Sequence, residues 1–172
     1  LFDDENEQVY FLAWTTTPWT LLSNTALTVG KKITYVKVET YNTYTKEKVS
    51  VILAKDLLPK YFNAANAELN LEDYAPDDKQ IPYNVVGEFT GADLLGLRYE
   101  QLMPYQQPDD GDAFKVIPGD FVTTEDGTGI VHTAPSFGAD DRMVAAQNGI
   151  GSLTLVDKSG KFVDEAGEYA GR

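Results

Sequence analysis

Residues 14–24 read WTTTPWTLLSN and residues 127–141 read GTGIVHTAPSFGADD. The first stretch sets Thr15, Thr16 and Thr17 in a row and adds Thr20 and Asn24. The second carries the chain's one histidine, His132, then Thr133, Ala134, Pro135 and Phe137, and ends on Asp140 and Asp141. Hydroxyls, an imidazole and a carboxylate can orient a water, donate to a developing oxyanion and bind an ammonium. With no cysteine and a single histidine, neither a cysteine nucleophile nor a zinc site of the usual ligand types can be built. Any hydrolysis must run on oxygen and nitrogen groups, and no metal is expected.

Each stretch reads as a strand turning into a helix. Pro18 disfavours the helical region for Thr17 and suits a first helical position, so Thr17 is expected to cap a short turn from 18 to 22. Such a corner aims unpaired backbone N–H groups and hydroxyls at one point, where an oxyanion, a phosphate or a carbonyl oxygen can bind. In the second stretch, Gly127 and Gly129 around Thr128 predict a tight turn or bulge entering a strand over 130–133. Pro135 and Ser136 then turn the chain into a helix whose first turn holds both aspartates, kept ionised by the helix dipole. Structure alone also accounts for these residues: Thr-Pro is a routine helix start, first-turn carboxylates answer the dipole, and a lone strand histidine is more often a wall than a catalyst. Trp14 and Trp19 are expected to pack around the corner rather than serve as stacking platforms.

The elements that must position these corners are mostly short strands. Apolar and β-branched runs recur at 9–14, 26–29, 34–39, 48–54, 83–89, 113–117, 120–124, 129–134, 152–156 and 161–163, bounded by turn residues. Helical stretches are expected at 54–66, broken near Pro59, at 91–97 and at 139–149, the last closed by Gly149. The expected class is α+β, β-dominated: a curled sheet or β-barrel core with a few short peripheral helices. The acidic, Pro-containing stretches at 70–82 and 104–112 read as solvated loops.

A chain of 172 residues is the size of one domain, and 1–172 is expected to be a single one. It opens at Leu1 and stops at Gly171-Arg172, which predicts a domain of a longer polypeptide. The formal net charge of −13 argues against a nucleic-acid-binding surface, since phosphate contacts need clustered Lys and Arg. An acidic module can still act on the end of a nucleic acid that another domain holds. No apolar run approaches the length of a membrane span.

Together the two motifs resemble the inserted editing domain of isoleucyl-tRNA synthetase, a class I aminoacyl-tRNA synthetase. Sister domains in the valyl and leucyl enzymes share the plan, but their first motif typically reads Thr-Thr-Arg-Pro. Here Thr17 fills the arginine's place, and Phe137-Gly138 replaces a His-Asp pair common in the sisters. Signatures of the synthetic core are missing, so the segment is not expected to activate amino acids. The resemblance implies hydrolysis of the ester of valine mischarged onto the isoleucine tRNA, with valyl-adenylate a further candidate. It implies Asp141 for the α-ammonium, Thr15, Thr16 and Thr17 for the carbonyl, the water and the terminal ribose, and Thr20 and Asn24 for shaping the site. His132 walls the side-chain pocket, and Thr133, Ala134, Pro135 and Phe137 complete the substrate-binding set. No cofactor is expected in this domain, although the parent enzyme uses ATP and Mg. The implied partners are the mischarged tRNA 3′ end and the remainder of the synthetase, in a monomer in the cytoplasm. Two other readings stay open: the editing domain of a valyl- or leucyl-tRNA synthetase, and a noncatalytic acidic β-domain that binds a peptide or sugar.

Overall fold

The computed structural model describes residues 8–108 and 111–172. Four strands form one sheet in the order β1-β4-β3-β5: β1 (Val9–Phe11), β4 (Lys48–Ala54), β3 (Thr34–Tyr41) and β5 (Asn84–Thr90). Three form a second in the order β6-β2-β7: β6 (Lys115–Pro118), β2 (Ala26–Val29) and β7 (Ile130–Thr133). β1 runs parallel to β4 and β6 parallel to β2, while the other pairings are antiparallel. The β-dominated α+β class is as expected. The sheets are mixed and do not close into a barrel among the described residues.

Burial explains the strand sequences. The residues of β4 from Val49 to Ala54 are all buried, because apolar side chains cover both faces of this strand. Ile52 and Ala54 meet Leu27, Val29, Tyr35, Val116 and Ile130 in a core between the sheets, while Val49, Val51 and Leu53 join Val36, Val38 and Tyr83 on the outer face. The far face of the second sheet, Ala26 and Ile117, is covered by Val144 and Ala145 of the helix Ala139–Gln147. β3 and β4 are joined by a turn in which Asn42 Oδ1 accepts the N–H groups of Tyr44 and Thr45 at 2.8 and 3.0 Å, the local bond that makes Asn a turn residue.

Four expectations are corrected. The stretch 54–66 is not one broken helix: a 3-10 turn Lys55–Leu57 leads into α1 (Leu58–Tyr61), which Pro59 helps to start, and a second 3-10 turn follows at Ala64–Glu68. The run 120–124 is not a strand. Gly119 N–H closes on Val29 O at 3.0 Å and the chain turns, while both edges of β2 are already taken by β6 and β7. The runs 152–156 and 161–163 make only an isolated bridge to each other, Val156 to Phe162, and the first buries Leu153 and Leu155 without a ladder. The helices expected at 91–97 and 139–149 appear as α2 (Gly91–Leu94) and α3 (Ala139–Gln147). Residues 109 and 110, within the expected loop 104–112, lie outside the described residues.

The site is positioned by a step between sheets. β1 leaves the first sheet with Leu12 N–H on Ile52 O at 3.0 Å, and Trp14 then bridges Val131 of β7 in parallel. On the β7 side, Ala54 N–H donates to Thr128 O at 2.8 Å, and the Thr128 hydroxyl donates to Leu12 O. The expected glycine turn is present: Gly127 and Gly129 have φ of 68° and 76°. A Cβ on Gly129 would lie 2.5 Å from Ala54 Cβ. Tyr35 OH bridges this turn to the end of β2, donating to Gly129 O at 2.5 Å and accepting from Gly30 N–H at 3.0 Å. Burial pushes its pKa up to about 12, so the hydroxyl keeps its proton.

Gly129→Ala is therefore expected to cost about 2–4 kcal/mol, from a left-handed backbone and an overpacked contact together. Urea unfolding measures it, and a loss below half a kcal/mol would show that the sheets are not held this closely.

Candidate active site

The step at 12–14 brings the threonine run alongside the end of β7. Thr17 occupies the N-cap position of the 3-10 helix Pro18–Ser23, with Pro18 first in the helix as expected. Its side chain makes no capping bond, which corrects the simple capping role. Instead Thr17 N–H donates to Thr15 Oγ1 at 3.1 Å, and Thr17 O accepts both Thr20 N–H at 3.0 Å and the Thr20 hydroxyl at 2.8 Å. The Thr17 hydroxyl lies 3.4 Å from Thr15 Oγ1 and 3.3 Å from Thr20 Oγ1. Thr16 is exposed and its hydroxyl has no partner among the described residues. The run thus splits: Thr15 and Thr17 shape the turn, and Thr16 faces out.

His132 joins the two stretches. Its Nε2 lies 2.9 Å from Thr20 Oγ1 and its Nδ1 lies 2.7 Å from Asn24 Nδ2. Asn24 Nδ2 also donates to Ala26 O at 2.9 Å, and Tyr99 OH donates to Asn24 Oδ1. An amide nitrogen only donates, so Nδ1 accepts, the ring proton sits on Nε2, and Nε2–H donates to Thr20. Burial drives the imidazole pKa down to about 4, against a smaller upward pull from Thr20. The ring is neutral near pH 7, and its one basic nitrogen is covered by Asn24. It cannot take a proton from a water without breaking that bond.

Asp141 sits in the first turn of α3, where its Oδ2 accepts Ala134 N–H at 2.9 Å. That bond spans the turn between β7 and α3 and places the carboxylate two residues beyond His132. Oδ1 has no partner among the described residues. Burial raises the Asp141 pKa, with the Ala134 N–H opposing and Asp140 adding to the rise. Desolvation thus works against the pull of the helix start on this carboxylate. A cationic group at Oδ1 would favour the charged form.

The remaining expected residues divide. Thr20 and Asn24 meet His132 on β7, while Asp141 is held by the Ala134 N–H in the turn just beyond that strand. Thr133 does not face them: alternation turns it to the other side of the strand, where it is fully buried and its hydroxyl bonds Thr28 Oγ1 at 2.6 Å. Ala134 contributes its N–H to Asp141, Pro135 is buried, and Phe137 is exposed. Trp14 and Trp19 are 56% and 54% exposed, contrary to the packing expected of them, although Trp14 does lie against Gly127. Tyr99 was not foreseen; it lies in an ordinary loop sequence, and only the fold brings it to Asn24.

A cavity of about 570 Å³ opens beside this cluster. Its walls include Val9, Phe11, Leu27 and Leu97, and Asn24, Tyr99 and His132 supply polar groups to its lining. None of Thr15, Thr16, Thr17, Thr20 or Asp141 lines it, so the imidazole borders the cavity on one side and bonds the threonine corner on the other. Among the described residues no group of three or more His, Asp and Glu side chains is placed to hold a metal ion. No helix among them is long and apolar enough to cross a membrane.

Comparison with solved structures gives the class. A leucyl-tRNA synthetase CP1 domain (GlLeuRS-CP1) superposes with a TM-score of 0.56 at 24% identity, covering 83% of this chain and 46% of that one. The editing domain of the cytosolic leucyl-tRNA synthetase of P. falciparum superposes with a TM-score of 0.53 at 16% identity, covering 80% and 45%. The fold is that of a synthetase connective-peptide editing domain. No protein-family model matches the chain. Sequence relatives are isoleucine–tRNA ligases: that of Bacteroides thetaiotaomicron is 56% identical over 93% of this chain, and that of Cytophaga hutchinsonii 55% over 96%. The chain spans only 15% and 16% of those relatives' lengths. At 46% identity over 92% of the chain, the isoleucine–tRNA ligase of Clostridium tetani agrees. The chain belongs to the isoleucyl-tRNA synthetase family, as one segment of it.

The depressed imidazole sets a pH dependence. Between about 4 and 6.5 the unfolded chain binds a proton at His132 that the folded chain refuses, so stability rises with pH across that window. Fully developed, the effect is on the order of 3 kcal/mol. Asp141, raised from 3.8, works in the opposite sense at the acid end. On acidification from pH 6.5 to 4, the wild type is expected to lose unfolding free energy more steeply than His132→Gln. Parallel curves in urea titrations would contradict a buried neutral ring.

Proposed function

We propose that this segment, 1–172 as a single domain, performs post-transfer editing in its parent synthetase by hydrolysing the ester that joins valine to the 3′ adenosine of the isoleucine tRNA. One observation carries the reading: a neutral, immobilised imidazole ties the threonine corner to the turn that holds Asp141, which suits a steric wall and not a base. The need for such a site is physical. A binding pocket reads one methylene for only about 1–3 kcal/mol, a limit for which the isoleucine–valine pair is itself the standard example, so a second and smaller sieve is required.

Asp141 takes the α-ammonium on its unpartnered Oδ1 while Oδ2 stays on Ala134 N–H. The exposed Thr16 hydroxyl, with those of Thr15 and Thr17, orients the water and the terminal ribose and donates to the carbonyl oxygen. Water attacks the ester carbonyl, the tetrahedral oxyanion collapses with cleavage of the bond to the ribose oxygen, and that oxygen takes up the proton the attacking water gives up. An aminoacyl ester is already activated, so positioning and oxyanion stabilisation replace a covalent nucleophile. Thr20 and Asn24 hold His132, whose ring excludes the extra methylene of isoleucine; Phe137 flanks the entrance. Thr133 and Pro135 act from behind the site through its backbone. The same site accepts valyl-adenylate, whose aminoacyl group is identical. The domain works without a cofactor, in the cytoplasm and in a monomeric enzyme, with the rest of the synthetase holding the tRNA. The chain's own charge of −13 gives little grip on phosphate.

In the full-length synthetase, Asp141→Asn keeps an acceptor for Ala134 N–H but loses the charge. Val-tRNA deacylation is expected to fall about 10²-fold or more while the domain's thermal transition stays in place. His132→Ala is expected to expose correctly charged Ile-tRNA to hydrolysis, narrowing the valine-to-isoleucine rate ratio about tenfold or more. Deacylation that survives Asp141→Asn unchanged would remove this carboxylate from the site, and activity lost in EDTA and restored by zinc would replace the mechanism with a metal-dependent one.

A further inference from the structure

We propose that Tyr99 is a positioning residue for selectivity: its hydroxyl fixes the Asn24 amide, and the amide fixes which ring nitrogen of His132 carries the proton. The selectivity consequence rests on the editing reading above, whereas the tautomer consequence does not.

The argument starts from donors and acceptors. Tyr99 OH donates to Asn24 Oδ1, which leaves Asn24 Nδ2 to serve Ala26 O at 2.9 Å and His132 Nδ1 at 2.7 Å. Flipping the amide would set Oδ1 against the Ala26 carbonyl and turn an N–H against the tyrosine hydroxyl. With Nδ1 accepting, the proton stays on Nε2 and donates to Thr20, whose own hydroxyl proton goes to Thr17 O at 2.8 Å. Five groups thus form one chain with one direction, running from Tyr99 to the threonine corner. Burial raises the phenol pKa well above its usual value, so the first donor keeps its proton.

The backbone holds Tyr99 for this contact. Segment 97–99 pairs with β6 through Val116 N–H on Leu97 O at 2.8 Å, Tyr99 N–H on Phe114 O at 3.0 Å and an Arg98–Lys115 bridge. Asp112 grips Arg98 at 2.7 Å and Lys115 at 3.3 Å. Phe114 has φ of 57°, a conformation costly for a bulky side chain. In that conformation its N–H reaches Thr25 O at 2.7 Å, next to Asn24, while its carbonyl takes Tyr99 N–H. One strained residue therefore ties the backbone beside the amide to the backbone of the phenol, and its ring meets Tyr99 edge-on at 6.1 Å.

Losing the hydroxyl would leave Asn24 Oδ1 without a partner at the lining of the 570 Å³ cavity, whose wall the buried His132 ring also helps to form. The amide then has less reason to keep its orientation. A ring free to exchange tautomers or tilt toward the cavity is a softer wall.

Tyr99→Phe keeps the aromatic packing and removes only the donor. The chain has one histidine, so its imidazole ¹⁵N signals belong to His132. In the wild-type chain, near pH 7, Nδ1 is expected to show the unprotonated signature and Nε2 the protonated one. In Tyr99→Phe the two shifts are expected to move toward each other as both tautomers populate. Unchanged ¹⁵N shifts would overturn the proposal and reduce Tyr99 to packing. In full-length synthetase carrying Tyr99→Phe, the ratio of Val-tRNA to Ile-tRNA deacylation is expected to fall about tenfold. Shifted tautomers with an unaltered ratio would overturn the selectivity role. A wild-type synthetase that deacylates neither tRNA would instead sink the editing reading, with the NMR result still deciding the tautomer claim.

Discussion

A buried imidazole that must stay neutral is the constraint on which this structure turns. Burying the charged form is expensive, and the fold avoids it by giving each ring nitrogen one partner of the right kind: an amide donor at Nδ1 and a hydroxyl acceptor at Nε2. Those partners come from a stretch more than a hundred residues away, so satisfying one side chain also fixes the threonine corner against β7. The same bonds spend both nitrogens. A histidine so satisfied has no proton-transfer capacity to offer and acts through its shape.

That corner can reach β7 only because the chain changes sheets between Leu12 and Trp14. The step is crowded: Ala54, Thr128 and Gly129 lie close enough that a methyl on Gly129 would collide with the Ala54 side chain. Tyr35 then uses its one hydroxyl twice, on Gly129 O and Gly30 N–H, and so locks the glycine turn to the end of β2. Position of the site is thus a consequence of close backbone approach, and the glycines are where that approach is paid for in conformational freedom.

Much of this was legible in the sequence where local chemistry decides. Strands at 26–29 and 48–54 fall where the apolar runs put them, the glycine pair sits in left-handed conformations, and Pro18 starts a helix. The failures share a cause. Runs 120–124 and 152–156 have strand composition but join no ladder in this fold, and β-propensity expresses fit to a neighbouring strand rather than an intrinsic state. Thr133 could have been read correctly, since strict alternation from His132 places it on the opposite face. Tyr99 could not: nothing in Leu97-Arg98-Tyr99-Glu100 marks it, and it meets Asn24 only after 97–99 is paired with β6. Asp141 lies in a first helical turn as expected, but the burial that raises its pKa is invisible in a helix-start pattern.

Selectivity by shape makes rigidity a chemical requirement. The energy that separates valine from isoleucine is that of one methylene, and a wall that yields by a fraction of an ångström surrenders much of it. An imidazole on a strand has two side-chain torsions and can yield. Held at both nitrogens, with the amide at one of them held in turn by a phenol whose backbone is tied to the same neighbourhood, it has no low-cost displacement. The threonine corner needs no such support, because its hydroxyls can rotate to meet a substrate without moving a heavy atom. The site therefore divides into an adaptable half that handles the ester and a braced half that measures the side chain, and the hydrogen bond between Thr20 and His132 is the seam between them.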